Sequence, residues 1–292
     1  MFEGTYTAII TPFSKTGVDY ESFEKLIESQ IAGGINGLVF IGTTGEPATM
    51  TSKEKDELRA FALKKVNKRV PVIFGTGCNC TQTAVDNSVT AQKEGADGIL
   101  VVSPYYNKCT QKGLFLHYSA IAEKCSLPMI IYNVPGRTGV NILPETAGKL
   151  AHEIPTIVGI KEACGNLEQI AKTAENIKGT NMQLMSGDDK LAVDIARLGG
   201  TTLISVASNA LPKEFTQIMA YANAGRFDEA DALYSKYDRL VDLLFSEVNP
   251  IPIKYACSQL GLCQNVLRLP LTSMSEDKAQ ILRAEMQRLQ II

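Results

Sequence analysis

Apolar positions along this chain alternate between two spacings. Short runs rich in Val and Ile, apolar on both faces, recur at residues 6–10, 37–42, 70–75, 98–103, 128–133, 156–163, 182–186 and 201–207. Such runs predict parallel strands covered by helices on one side and by a packed interior on the other. Between them the apolar residues fall three and four apart, as one face of a helix requires. Asp19 can cap a first helix carrying Phe23, Leu26, Ile27 and Ile31, closed by Gly33-Gly34. Thr51-Ser52-Lys53-Glu54 has the form of a capping box. Thr81 can open a third helix that ends near Gly95, and Leu114, Tyr118, Ile121 and Ala122 mark a fourth.

A strand followed by a helix, repeated about eight times, is the pattern of an α/β (β/α)8 TIM barrel. The rival is an open doubly wound sheet, which usually places G-x-G-x-x-G after its first strand; none is present here. Beyond Ala210 the strand rhythm stops. Residues 1–225 are therefore read as the barrel and residues 226–292 as a C-terminal helical extension. Its last helix would place Ala279, Leu282, Met286 and Leu289 on one side.

Composition narrows the function classes. Lys and Arg total 29 against 31 Asp and Glu, without a basic block, which argues against a nucleic-acid or anionic-membrane surface. No apolar run approaches the roughly 18 residues of a membrane span, and the N-terminus lacks a signal-like apolar stretch. Seven cysteines, an odd number, then read as reduced thiols of a cytoplasmic enzyme. Cys78 and Cys80 form C-x-C with no second pair, and the only histidines are His117 and His152. No metal site is expected from these spacings.

In such a barrel the reactive groups stand at the C-terminal ends of the strands. Those ends are rich in hydroxyls and phenols, with one Arg and one Lys. Lys161 lies within an otherwise apolar strand, where alternation groups it with Ile157, Gly159 and Ala163. An amine facing the interior loses solvation, its pKa falls, and a neutral amine can attack a ketone. The small Gly159 would leave room for a ligand. The plainer alternative is a strand-end lysine in solvent or paired with Glu162. Imine chemistry also needs proton transfer, for which Tyr132, Thr43 and Tyr106 are suitable; the plainer readings are a core aromatic for Tyr132 and an interface aromatic for Tyr106. Thr43 and Thr44, before Gly45, could hold a small carboxylate. Arg137, between Gly136 and Gly139, suits a second carboxylate, although position alone fits a solvated arginine as well.

Six segments read together carry a resemblance: Gly42-Thr43-Thr44-Gly45-Glu46, Pro104-Tyr105-Tyr106-Asn107, Tyr132-Asn133-Val134-Pro135-Gly136-Arg137-Thr138-Gly139, Gly159-Ile160-Lys161-Glu162, Ser186-Gly187-Asp188-Asp189 and Asn249-Pro250-Ile251-Pro252-Ile253-Lys254. In this order they resemble the dihydrodipicolinate synthase family, pyruvate-dependent class I aldolases of lysine and diaminopimelate biosynthesis. The resemblance implies that Lys161 forms an imine with pyruvate. It implies a relay of Tyr132, Thr43 and Tyr106, the last reaching in from a neighbouring subunit. Thr44, with backbone groups of Gly187 and Ile204, would bind the pyruvate carboxylate, and Arg137 that of L-aspartate 4-semialdehyde. The product would be 4-hydroxy-tetrahydrodipicolinate, made without cofactor or metal by a homotetramer built as a dimer of dimers.

N-acetylneuraminate lyase and other 2-keto-acid aldolases share the glycine-rich loop, the tyrosine and the lysine. Arg137 separates the readings, because the sugar-acid lyases generally lack an arginine there. A non-catalytic ligand sensor on the same barrel is the rival from another class. Lysine-inhibited relatives line an interface pocket that Asn79 and Tyr105 match, while Pro47, Ser52, Lys55 and Thr83 depart from it. Weak or absent feedback inhibition by lysine is the expectation.

Overall fold

The computed structural model describes residues 2–292. Eight parallel strands close into one barrel in chain order: β1 (Gly4–Ala8), β2 (Gly37–Phe40), β3 (Val72–Gly75), β4 (Gly98–Val102), β5 (Met129–Asn133), β6 (Ile157–Glu162), β7 (Gln183–Ser186) and β8 (Thr202–Ser205), with β8 paired back to β1. Helices α1 (Tyr20–Ala32), α2 (Ser52–Val66), α3 (Thr81–Glu94) and α4 (Gln111–Ala122) follow the first four strands. After β5 come a single turn, α5 (Pro135–Thr138), and α6 (Pro144–Glu153); α7 (Leu167–Asn176), α8 (Ala192–Arg197) and α9 (Pro212–Asn223) complete the ring. The chain ends in α10 (Phe227–Tyr234), α11 (Asp238–Leu244), α12 (Ile251–Gln259) and α13 (Glu276–Arg288). This is the (β/α)8 barrel with C-terminal helices that the hydrophobic pattern predicts.

Local signals act where they were read. The Asp19 side chain accepts from the backbone of Ser22 at 3.1 Å, and α1 buries Phe23, Leu26 and Ile27. Thr51 and Glu54 satisfy each other's backbone amides reciprocally at the start of α2. Thr81 is the first residue of α3, but its hydroxyl bonds His117 Nδ1 at 2.9 Å instead of capping the helix.

Several strands are shorter than their apolar runs. β3 starts after Pro71, which has no N–H to give the ladder. β2 stops at Phe40 because Ile41 turns at φ 58. β8 stops at Ser205 because the amides of Val206 and Ala207 donate to the Asp189 carboxylate.

Two apolar layers follow from the closure. Tyr6, Val39, Ile73, Leu100, Ile130 and Met185 fill the barrel, while a larger layer lies between strands and helices. Each large side chain so buried contributes roughly 2 kcal/mol. In β6 the expected alternation fails at one point. Met129 pairs with Ile157 but Ile130 pairs with Gly159, so Val158 is an inserted bulge residue. Ile157 joins the outer layer and Val158 the inner one, the reverse of strict alternation, and Lys161 regains the inner face only beyond the bulge.

The C-terminal region docks at the end of the barrel where the strands finish. Lys254 of α12 forms a fully buried ion pair with Glu46, and Arg268 pairs with Glu54 at 2.5 Å. Among the described residues no helix is long and apolar enough to cross a membrane.

Candidate active site

Lys161 and Tyr132 are register partners on neighbouring strands, and both side chains turn inward. The lysine is 5% exposed, with its Nζ 4.3 Å from the centre of the Tyr132 ring. Burial pulls the ammonium down to about 8, against a partial counter-pull from the Asp189 carboxylate; Arg137 lowers it further and Asp188 raises it. Glu162, the alternative partner, faces the opposite way and lies at the outer side of the strand, hydrogen-bonded to Asn133. Tyr132 is pushed up to about 12 by burial, with Arg137 and the Thr43 hydroxyl acting in the other direction. At neutral pH the phenol therefore keeps its proton.

Two glycines shape the lysine's surroundings. A Cβ on Gly187 would stand 2.7 Å from Lys161 Cε and 2.9 Å from its Cγ, so only glycine lets the aliphatic stem pass. The Gly187 amide is already committed to Glu162 O at 2.7 Å, which leaves it no N–H for a carboxylate. Gly159 does not open ligand space, contrary to expectation: the Met185 thioether fills it, 2.4 Å from where a Cβ would be.

Thr43 and Thr44 occupy a 3-10 turn after β2, and Thr44 is buried. Asn249 Nδ2 donates to Thr44 Oγ1 at 3.0 Å, which leaves the threonine proton free to point at an incoming anion. The Asn249 carbonyl accepts from Arg137 Nη2 at 3.0 Å, so one residue of the C-terminal region ties both anion-binding candidates together. Arg137 is otherwise exposed at the barrel mouth. Ile204 sits in β8 with its side chain in the inner layer.

Tyr106 is not brought to this cluster. It is 89% exposed, at φ 74, on the loop after β4 and points away from its own barrel. Sequence reading assigned no role to Asn249, Asp188 or Asp189. Asp189 is buried and accepts from Ser205 Oγ at 2.5 Å and from two amides, tying the ends of β7 and β8 together. A pair of acidic residues, Asp188-Asp189, just beyond the end of an apolar strand is the signal that could have marked it. All seven cysteines are free thiols, and the described residues hold no group of three or more His, Cys, Asp or Glu arranged for a metal.

A desolvated amine at the end of β6, with a neutral phenol beside it and hydroxyl and guanidinium groups at the mouth, defines a Schiff-base aldolase on a (β/α)8 barrel. The comparisons give the family: residues 1–289 match the Dihydrodipicolinate synthetase family, and the chain belongs to it. It is 46% identical over 292 residues to the 4-hydroxy-tetrahydrodipicolinate synthase of Alkaliphilus oremlandii, covering all of both chains. The crystal structure of dihydrodipicolinate synthase from Thermotoga maritima superposes over all of both chains with a TM-score of 0.98 at 40% identity. That of the chloride-inhibited enzyme from Acinetobacter baumannii, complexed with pyruvate, gives 0.97 at 43% identity, again over both whole chains.

Proposed function

We infer that this chain condenses pyruvate with L-aspartate 4-semialdehyde to give 4-hydroxy-tetrahydrodipicolinate, through an imine on Lys161. The observation that carries the assignment to this lysine is its position: a buried amine, lowered to about 8, against the Tyr132 ring. The neutral amine attacks the pyruvate ketone and water leaves. Loss of a methyl proton gives an enamine, whose carbon attacks the aldehyde. Tyr132 and Thr43 carry protons to and from these oxygens, joined by Tyr106 of a second subunit. Thr44 binds the pyruvate carboxylate near Ile204, and Gly187 keeps the path of the lysine stem open. Arg137 holds the acceptor's carboxylate. The acceptor's amino group finally displaces Lys161 by transimination and the ring closes.

In this reading residues 1–225 carry the chemistry and residues 226–292 support it; the bond from Asn249 to Thr44 favours such a supporting role. The working unit is a homotetramer of two dimers in the cytoplasm, without cofactor. A coupled assay offering pyruvate with either aspartate semialdehyde or N-acetylmannosamine decides the acceptor. Turnover of the semialdehyde and borohydride trapping of pyruvate on Lys161 are expected. Turnover of N-acetylmannosamine alone would replace this reading by a sugar-acid lyase, and absence of any pyruvate adduct by a sensor.

Feedback inhibition by lysine should be weak or absent. Lys55, which departs from the pattern of lysine-inhibited relatives, stands half-buried with Arg59 near enough to act on its charge, and this positive pair would repel an incoming ammonium. Activity at millimolar lysine is expected to fall little or not at all; substantial inhibition would contradict this.

A further inference from the structure

The outer faces of β5 and β6 carry a polar network that the chemistry above leaves unused. Tyr132 and Lys161 pair inward; the next pair along the same strands, Asn133 and Glu162, points the other way, and both are fully buried. Asn133 Nδ2 donates one hydrogen to Asn141 Oδ1 at 2.9 Å and the other toward Glu162 Oε2 and Oε1 at 3.1 and 3.3 Å. Its Oδ1 accepts from the Ile142 amide at 2.9 Å. Asn141 and Gln169 of α7 form a reciprocal amide pair at 2.7 and 3.0 Å, and Gln111 of α4 donates to the Asn141 carbonyl at 2.8 Å.

These bonds have one geometric effect. Asn133 is the last residue of β5, and Asn141 and Ile142 end the loop that β5 launches. A strand-end amide thus grips the far end of its own loop, and that loop carries Arg137 in α5. The Ile142 N–H fixes which way the grip faces. A flipped Asn133 would set its NH2 against that N–H, donor against donor, so only one orientation is satisfied.

We propose that Asn133, with Asn141, is a positioning residue for Arg137 and thereby sets selectivity for an aldehyde bearing a carboxylate. The inference rests on the reading of Arg137 as that carboxylate's partner. The bonds clamp the 134–142 loop at both ends, so the guanidinium meets the acceptor without a search. Misplacement by about 1 Å can cost on the order of a hundredfold in rate.

The test compares Asn133→Ala, Asn141→Ala and Arg137→Ala in the enzyme as it stands. For both asparagine variants, KM for aspartate semialdehyde is expected to rise about tenfold or more, while KM for pyruvate and the plateau rate of borohydride trapping, read where the Lys161 amine is fully neutral, stay within about twofold. Preference for the semialdehyde over an uncharged aldehyde of the same length should fall in step. Adding Asn141→Ala to Arg137→Ala should cost nothing further.

If Arg137→Ala raises the acceptor KM and the asparagine variants do not, the positioning role is wrong and the Arg137 reading stands. If Arg137→Ala itself leaves the acceptor KM unchanged, the reading beneath it fails. Loss of pyruvate trapping in parallel with acceptor binding would reduce the network to general support and overturn the proposal. Should Asn133→Ala not fold, the half-buried Asn141 carries the same comparison alone.

Discussion

The reactivity proposed for Lys161 rests on a contest between burial and the charges around it. Burial lowers the ammonium to about 8; Asp189 and Asp188 oppose that shift, and Arg137 adds to it. Only the neutral amine attacks pyruvate, so the rate of imine formation should rise about tenfold per pH unit below about 8 and level off above it. The direction of each field term can be tested separately. Asp188→Asn removes a negative neighbour, lowers the amine further and should move this limb to lower pH. Arg137→Met removes a positive neighbour and should move it to higher pH. Borohydride trapping with pyruvate alone, measured from pH 6 to 10 as an approximate window around the unperturbed and shifted values, reads both shifts. Limbs that coincide for all three proteins would show that these charges do not tune the lysine. The inward placement of Lys161 was legible from an apolar strand interrupted by one amine. The bulge at Val158 was not, because Val158 and Ile157 are equally apolar and only pairing with β5 shows which one is extra.

The elements meet at the buried pair of Lys254 on α12 and Glu46 in the turn after β2. Both side chains are fully buried, Lys254 also lies 4.4 Å from the Phe13 ring centre, and the Arg268 amide donates to the second Glu46 oxygen at 3.3 Å. Removing one partner strands the other without water. Lys254→Met alone should therefore cost about 3–5 kcal/mol in unfolding free energy. Pairing it with Glu46→Gln removes the stranded charge, and urea titration of the four proteins should give a coupling of about 2 kcal/mol or more. Simple addition of the two single effects would show that the pair does not anchor the C-terminal helices. This contact also marks a limit of sequence reading. The capping box at Thr51 is readable because its partners lie three residues apart. Glu46 and Lys254 are separated by 208 positions, and only the closed barrel brings them together. For the same reason Asn249 went unassigned: its bonds to Thr44 and Arg137 span 205 and 112 positions.

At the scale of the whole molecule the proposed proton relay is one hydroxyl short. Tyr132 and Thr43 stand with Lys161, but Tyr106 projects from the surface, 89% exposed. Its loop is not loose: the Asn107 side chain donates to Asn79 O at 2.9 Å, and the Tyr106 amide donates to Thr138 O at 3.4 Å. A non-glycine residue held at φ 74 with its ring in solvent carries a local cost, which a role outside its own barrel would explain. If that role is completion of a partner's site, two dead enzymes can restore each other. Lys161→Ala and Tyr106→Phe are each expected to be nearly inactive alone. In a mixed dimer, one site combines both lesions, while the other combines an intact lysine from one chain with an intact phenol from the other. Random association makes about half of the dimers mixed, each with one of its two sites whole, so an equal mixture should recover about a quarter of wild-type activity. Dissociating and reassociating the two variants together, then assaying against each one treated alone, measures this directly. A mixture no more active than its parents would mean that Tyr106 serves the barrel it belongs to, or none, and the shared-site architecture would have to be abandoned.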